Sequence, residues 1–83
     1  MSAGDERAAR VRELLAEVLD VPLPSIGPGF SAATAGSWTS LNHLMLVSQL
    51  EGEFGVIFTN AEIGELTSFD RIVSALAQHL EPG

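Results

Sequence analysis

Trp38-Thr39-Ser40-Leu41-Asn42-His43-Leu44-Met45-Leu46-Val47-Ser48-Gln49-Leu50-Glu51-Gly52-Glu53-Phe54 is the stretch on which the reading of this chain turns. His43, Leu46, Val47, Leu50 and Phe54 recur at helical spacing and share one face, the face expected in the core. Leu41, Leu44 and Met45 fall largely off that face, on the side occupied further along by Ser48. A helix in a chain of 83 residues cannot bury every side, so exposed apolar groups are expected there. Ser40 opens the helix, where unpaired backbone N–H groups and the positive dipole end favour an anion. Ser37 is an alternative cap, which would set Ser40 three residues inside the helix.

Upstream, residues 22–39 are rich in Pro, Gly, Ser, Ala and Thr and contain no charged side chain. A connection this long without structure of its own is uncommon in a compact domain and often marks a functional segment. Ile26 and Phe30 are its expected anchors, and Trp38 is expected to pack beneath it, its indole N–H needing a partner. Earlier still, Val11, Leu14, Leu15, Val18 and Leu19 predict a helix over residues 5–19. Asp5 and Glu6 suit its positive end, and Val21-Pro22-Leu23-Pro24 stops it.

Downstream of the second helix, predicted over residues 40–55, Val56-Ile57-Phe58 reads as an extended connector. Thr59-Asn60-Ala61-Glu62 fits a capping box and predicts a short helix over residues 59–66. Thr67-Ser68-Phe69-Asp70 supplies another cap for a helix over residues 68–80, with Phe69, Ile72, Val73, Leu76 and Leu80 inward. The expected fold is all-α, a small four-helix bundle of three longer helices and one short third helix. It has a long first loop and forms one domain over residues 1–83.

Composition narrows the function classes. Cysteine is absent, which excludes disulfides, zinc–thiolate sites and thiol nucleophiles; with 46% hydrophobic residues, apolar packing alone is expected to hold the helices. The net charge is −7, and the basic residues are Arg7, Arg10, Arg12 and Arg71. That balance disfavours nucleic acid and anionic membranes and favours partners with basic docking surfaces. The longest aliphatic run, residues 44–47, is far shorter than the roughly 20 residues of a membrane span. Met1-Ser2-Ala3-Gly4-Asp5-Glu6 lacks the basic and apolar segments of a signal peptide, so a cytoplasmic, monomeric protein is expected.

Glu51, Glu53, Glu62 and Glu65 are expected to form a solvated acidic face that meets arginines of partners rather than an acid–base pair. His43 reads as a histidine at the edge of the core, with a place at the mouth of a cavity beside Ser40 as the alternative, and His79 as a charge partner for the last helix's C-terminal end. The two are too far apart in sequence to suggest a metal site.

The order long helix, long loop, serine-initiated helix, short helix and final helix resembles that of the acyl carrier protein family. Ser40-Leu41 at the second helix start and Leu50-Glu51-Gly52-Glu53-Phe54-Gly55-Val56 near its end carry the likeness. It covers nearly the whole chain and is most specific over residues 38–58; Glu62-Ile63 and Thr67-Ser68-Phe69-Asp70-Arg71-Ile72 are similar to the family's later helices. The resemblance implies that a phosphopantetheinyl transferase attaches 4'-phosphopantetheine from coenzyme A to Ser40. The thiol of that arm would hold an acyl group as a thioester for acyltransferase, ligase or ketosynthase-type enzymes. The domain would then be their substrate and no enzyme itself. With the exposed-face reading, Thr39, Leu41, Leu44, Met45, Ser48 and Glu51 become the expected partner-docking residues.

Thr39 departs from the family pattern, which has aspartate before the serine; a threonine still caps, but a transferase meets no charge there. Thr39 and the absence of acidic residues between Leu41 and Gln49 point to a discrete carrier of bacterial polyketide-type antibiotic biosynthesis rather than housekeeping fatty-acid synthesis. A stand-alone peptidyl or aminoacyl carrier is a close variant, though Ser37-Trp38-Thr39 replaces that group's Gly-Gly-x before the serine. The alternative from another class is an unmodified helical interaction module that binds proteins through Leu41, Leu44 and Met45.

Overall fold

The computed structural model describes residues 3–81, and among them the chain is all-α. The helices are α1 (Ala3–Leu19), α2 (Ser40–Phe54), α3 (Asn60–Glu65) and α4 (Phe69–Leu80). Bounds fall within two residues of those predicted from periodicity and caps. No described helix is long and apolar enough to cross a membrane.

Local chemistry explains the ends. Asp20 follows α1 in the left-handed region, at φ 55°, and Val21 N–H returns to the Ala16 carbonyl at 3.2 Å. Aspartate tolerates this conformation better than most residues, so the helix stops before the prolines are reached. Gly55 closes α2 at φ 67°, donating to the Glu51 carbonyl at 2.9 Å. The Thr59–Glu62 capping box forms as predicted, and the Ser68 hydroxyl accepts from Arg71 N–H at 3.1 Å.

α1 packs against both α2 and α4. Val11, Leu14, Leu15 and Leu19 meet Leu46, Val47 and Leu50 of α2 and Ile72 and Leu76 of α4 in one buried cluster. Burying side chains of this size stabilises by about 1.5–3 kcal/mol each. Phe54, Phe69 and Val73 are only partly buried against this core, and Leu80, expected inward, is 37% exposed at the end of α4. Conversely, Val56, Phe58 and Leu66, which lie between helices, are buried.

The long connection is less irregular than its composition suggests. A 3-10 turn spans Leu23–Ser25, Ile26 is fully buried and Phe30 partly so. Ala32 N–H donates to the Thr67 carbonyl at 2.9 Å, and Phe69 N–H donates to the Phe30 carbonyl at 3.0 Å. These bonds stitch the loop to the junction of α3 and α4, which closes one wall of the region around Ser40. Apolar packing is also not alone, since Arg10 bridges Glu53 of α2 at 3.0 Å and Arg12 Nε donates to the Ile26 carbonyl at 3.1 Å.

Candidate functional site

Thr39, not Ser37 or Ser40, caps α2. Its backbone is extended and its hydroxyl accepts from Asn42 N–H at 3.2 Å, while its carbonyl accepts from His43 N–H at 2.8 Å. The Ser37 carbonyl instead accepts from Asn42 Nδ2 at 2.8 Å, and the Ser37 hydroxyl is buried without a partner. Ser40 is therefore the first residue of α2, exposed, and among the described residues nothing hydrogen-bonds its hydroxyl. Nor does anything there engage the N–H groups of Ser40 and Leu41, as expected for the first donors of a helix.

Beside Ser40 lies a shallow groove of about 370 Å³ whose walls include Trp38, Thr39, His43, Leu44, Gly64 and Thr67. Trp38 is 8% exposed and stacks on Phe30, with ring centroids 5.9 Å apart. Its indole N–H donates to His43 Nδ1 at 2.9 Å, and His43 Nε2 lies 2.7 Å from the Ile63 carbonyl. An indole nitrogen only donates and a carbonyl only accepts, so this geometry requires the proton on Nε2. His43 thus has the two orienting partners that the sequence did not reveal, and it joins α2 to α3. Gly64 and Thr67 were also missed as neighbours of Ser40, because they reach the groove through packing of α3.

The face of α2 beyond Ser40 is apolar and open, with Leu41 69%, Leu44 59% and Met45 46% exposed; Thr39 and Ser48 are exposed too. Glu51, grouped with them as a docking residue, also has an internal partner. It is half-buried and its carboxylate accepts from Phe58 N–H at 2.9 Å, folding the 56–58 connector back onto α2. Ile57 in that connector is 82% exposed, an apolar group that the sequence reading did not single out.

The expected acidic face is divided: Glu65 is exposed, whereas Glu53 and Glu62 are paired. Glu53 binds Arg10, and Glu62 accepts from Thr59 N–H at 2.8 Å and meets His79 Nε2 at 2.8 Å. The Thr59 backbone bond, then His79, holds the Glu62 carboxyl below the usual carboxylate range. His79 also sets its ring edge-on to Phe58 at 5.2 Å, so it links α4 to α3 instead of serving only its own helix end. No group of three or more metal-ligating side chains occurs among the described residues.

Neither a scan against protein-family models nor a search among curated proteins finds a match to this chain.

Ser40 fits covalent attachment of a phosphodiester-linked arm on its own chemistry. The hydroxyl is accessible, two unengaged N–H groups stand next to it, and an uncharged groove opens alongside.

Proposed function

We infer that this chain is a carrier protein in which Ser40 takes 4'-phosphopantetheine. One observation supports the reading above all others: Thr39 performs the capping that would ordinarily explain a helix-start serine, so the Ser40 hydroxyl has no structural task. In the transfer, the Ser40 Oγ–phosphorus bond forms as the pyrophosphate of coenzyme A breaks. Adenosine 3',5'-bisphosphate leaves, and the hydroxyl proton passes to a base supplied by the transferase. The group, once attached, contributes a thiol that holds cargo as a thioester. The chain itself contributes placement, an exposed tip of α2 beside an apolar face for partner enzymes of acyltransferase, ligase or ketosynthase type. The neutral Leu41–Gln49 segment and Thr39 favour polyketide-type specialised metabolism within this reading.

Intact-mass measurement after incubation with coenzyme A, Mg²⁺ and a broad-specificity phosphopantetheinyl transferase tests it. Wild type and Ser37→Ala should gain one phosphopantetheine, while Ser40→Ala should gain none. A folded wild type that stays unmodified, or a Ser40→Ala protein that is modified, overturns the assignment. The exposure of Leu41, Leu44 and Met45 favours one second reading, an unmodified module that binds proteins through this face. Exclusively unmodified protein from the native host, with partner binding intact, would select it.

A further inference from the structure

Two imidazoles tie the short α3 into the fold, and a proton has opposite effects on them. His79 Nε2 meets the Glu62 carboxylate at 2.8 Å, a contact that a positive charge on the ring strengthens. At His43 both ring nitrogens are in use, in opposite senses. Nε2–H donates to the Ile63 carbonyl at 2.7 Å, and Nδ1 accepts from the Trp38 indole N–H at 2.9 Å. An imidazolium carries a proton on each nitrogen, so it keeps the first bond and cannot keep the second. Trp38 is 8% exposed, and its indole N–H would be left against another donor, away from water.

No charge near His43 offsets that loss. The two rings meet edge to edge, with centroids 6.2 Å apart at 30° and the bonded nitrogens between them. An imidazolium there faces the positive edge of the indole and gains nothing from its π face. Among the described residues no carboxylate lines the groove, and α1 contributes no residue to it. α2 has no acidic side chain from Leu41 to Gln49, Glu51 holds Phe58 N–H, and the loop has no charge over residues 22–39. On α3, Glu62 is turned to Thr59 N–H and His79, while Glu65 lines a separate cleft with Asp70 and Arg71 of α4.

We propose that the Trp38–His43 contact is a proton-operated latch. Proton uptake at His43 Nδ1 releases the Trp38 end of the long loop from α2 and leaves α3 and α4 in place. The extent of the release follows from the neighbouring bonds. Ala32 is pinned by the Thr67 carbonyl, and the Thr39 hydroxyl by Asn42 N–H, so the freed stretch is residues 33–38. The backbone bonds of that stretch run to Ser31 and Ala35, within the loop itself, and Asn42 Nδ2 on the Ser37 carbonyl remains as its tie to α2. The latch needs no group on Ser40, so it stands independently of the carrier reading.

Trp38 is the sole tryptophan, so its indole signal reports the latch directly. Nitrogen–proton spectra of the unmodified chain, followed from about pH 8 to about pH 5, should show His43 as the Nε2–H tautomer at the upper end. On acidification the indole signal should move with the same midpoint as the His43 ring nitrogens. Acrylamide quenching of Trp38 fluorescence should rise severalfold over the same interval, while helical circular dichroism and the Leu50 and Leu76 amides hold steady. His43→Gln, whose amide oxygen still accepts from the indole, should keep the Trp38 signal fixed; His79→Gln should leave its movement intact. The proposal is overturned by an Nδ1–H tautomer at pH 8, by an indole signal that stays put, or by movement accompanied by loss of helix. Movement that persists in a folded His43→Gln protein, or vanishes in His79→Gln, overturns it equally. The tautomer and the shared midpoint are read on the wild type, so they decide the matter even where a variant fails to fold.

Discussion

The two ends of α2 differ in how much of their chemistry is engaged. From Leu50 onward the helix is committed: Leu50 is fully buried, Glu51 holds Phe58 N–H, Glu53 holds Arg10, and Gly55 closes the final turn. From Ser40 to Met45 the outward side presents Ser40, Leu41, Leu44 and Met45, with an unengaged hydroxyl and mostly exposed apolar groups. The inward side of that same half, His43 and Leu46, is anchored as firmly as the far end. One helix thus combines a fixed support with an open tip. The division matters because a contiguous exposed apolar face marks an interaction surface, while a hydroxyl open to water is left unengaged at little cost to stability.

The sharpest way to break this contrast is a pair of matched truncations. Leu50→Ala should cost about 2–5 kcal/mol in urea denaturation, whereas Leu44→Ala should stay within about 0.5 kcal/mol. Comparable losses would mean that the tip helps to hold the fold. A smaller effect is expected at Glu51. Glu51→Ala leaves Phe58 N–H without its acceptor and should cost about 1–3 kcal/mol in the same assay, with Glu51→Gln recovering most of it. No loss would restore Glu51 to the solvent-facing role expected from the sequence.

Thr39→Ala should cost about 1 kcal/mol, the usual loss for a helix cap, and Thr39→Asp should recover it, since either side chain accepts from Asn42 N–H. Mass spectrometry of Thr39→Ala should still show modification of Ser40, separating capping from the attachment role.

The smallest effect concerns pH. Glu62 titrates below the ordinary carboxylate range in the folded chain, first through Thr59 N–H and then through His79. Its contribution is therefore complete above the unfolded value and is lost as pH falls through the lower folded value. Thermal melts between about pH 6 and pH 3 should show a smaller acid-induced drop for Glu62→Gln than for wild type. Parallel curves would indicate that the α3–α4 contact is idle.

Much of the fold was legible in the chain. Thr59 and Ser68 were readable as caps because a cap bonds three residues ahead, and α1 and α2 were readable because apolar spacing repeats every turn. The candidate site was legible at Ser40, Leu41, Leu44 and Met45, all on one short segment. The bonds of His43 were not legible, since its partner Ile63 lies 20 residues away, and neither were Gly64 and Thr67. Glu51 and His79 have tertiary partners that were hidden for a related reason. A carboxylate or imidazole on a helix looks solvent-facing until a neighbouring segment folds over it.

The sequence by itself determined the helices and the caps of α3 and α4, because those depend on hydrogen bonds and periodicities within a few residues, and it left the cap of α2 open between neighbouring hydroxyls. Only the tertiary structure decided that Thr39 leaves the Ser40 hydroxyl idle and that Trp38 and His43 satisfy each other. It also decided that α3 walls an uncharged groove beside them. Helix spacing dictates which side chains share a face, but what stands opposite that face follows from how the helices pack.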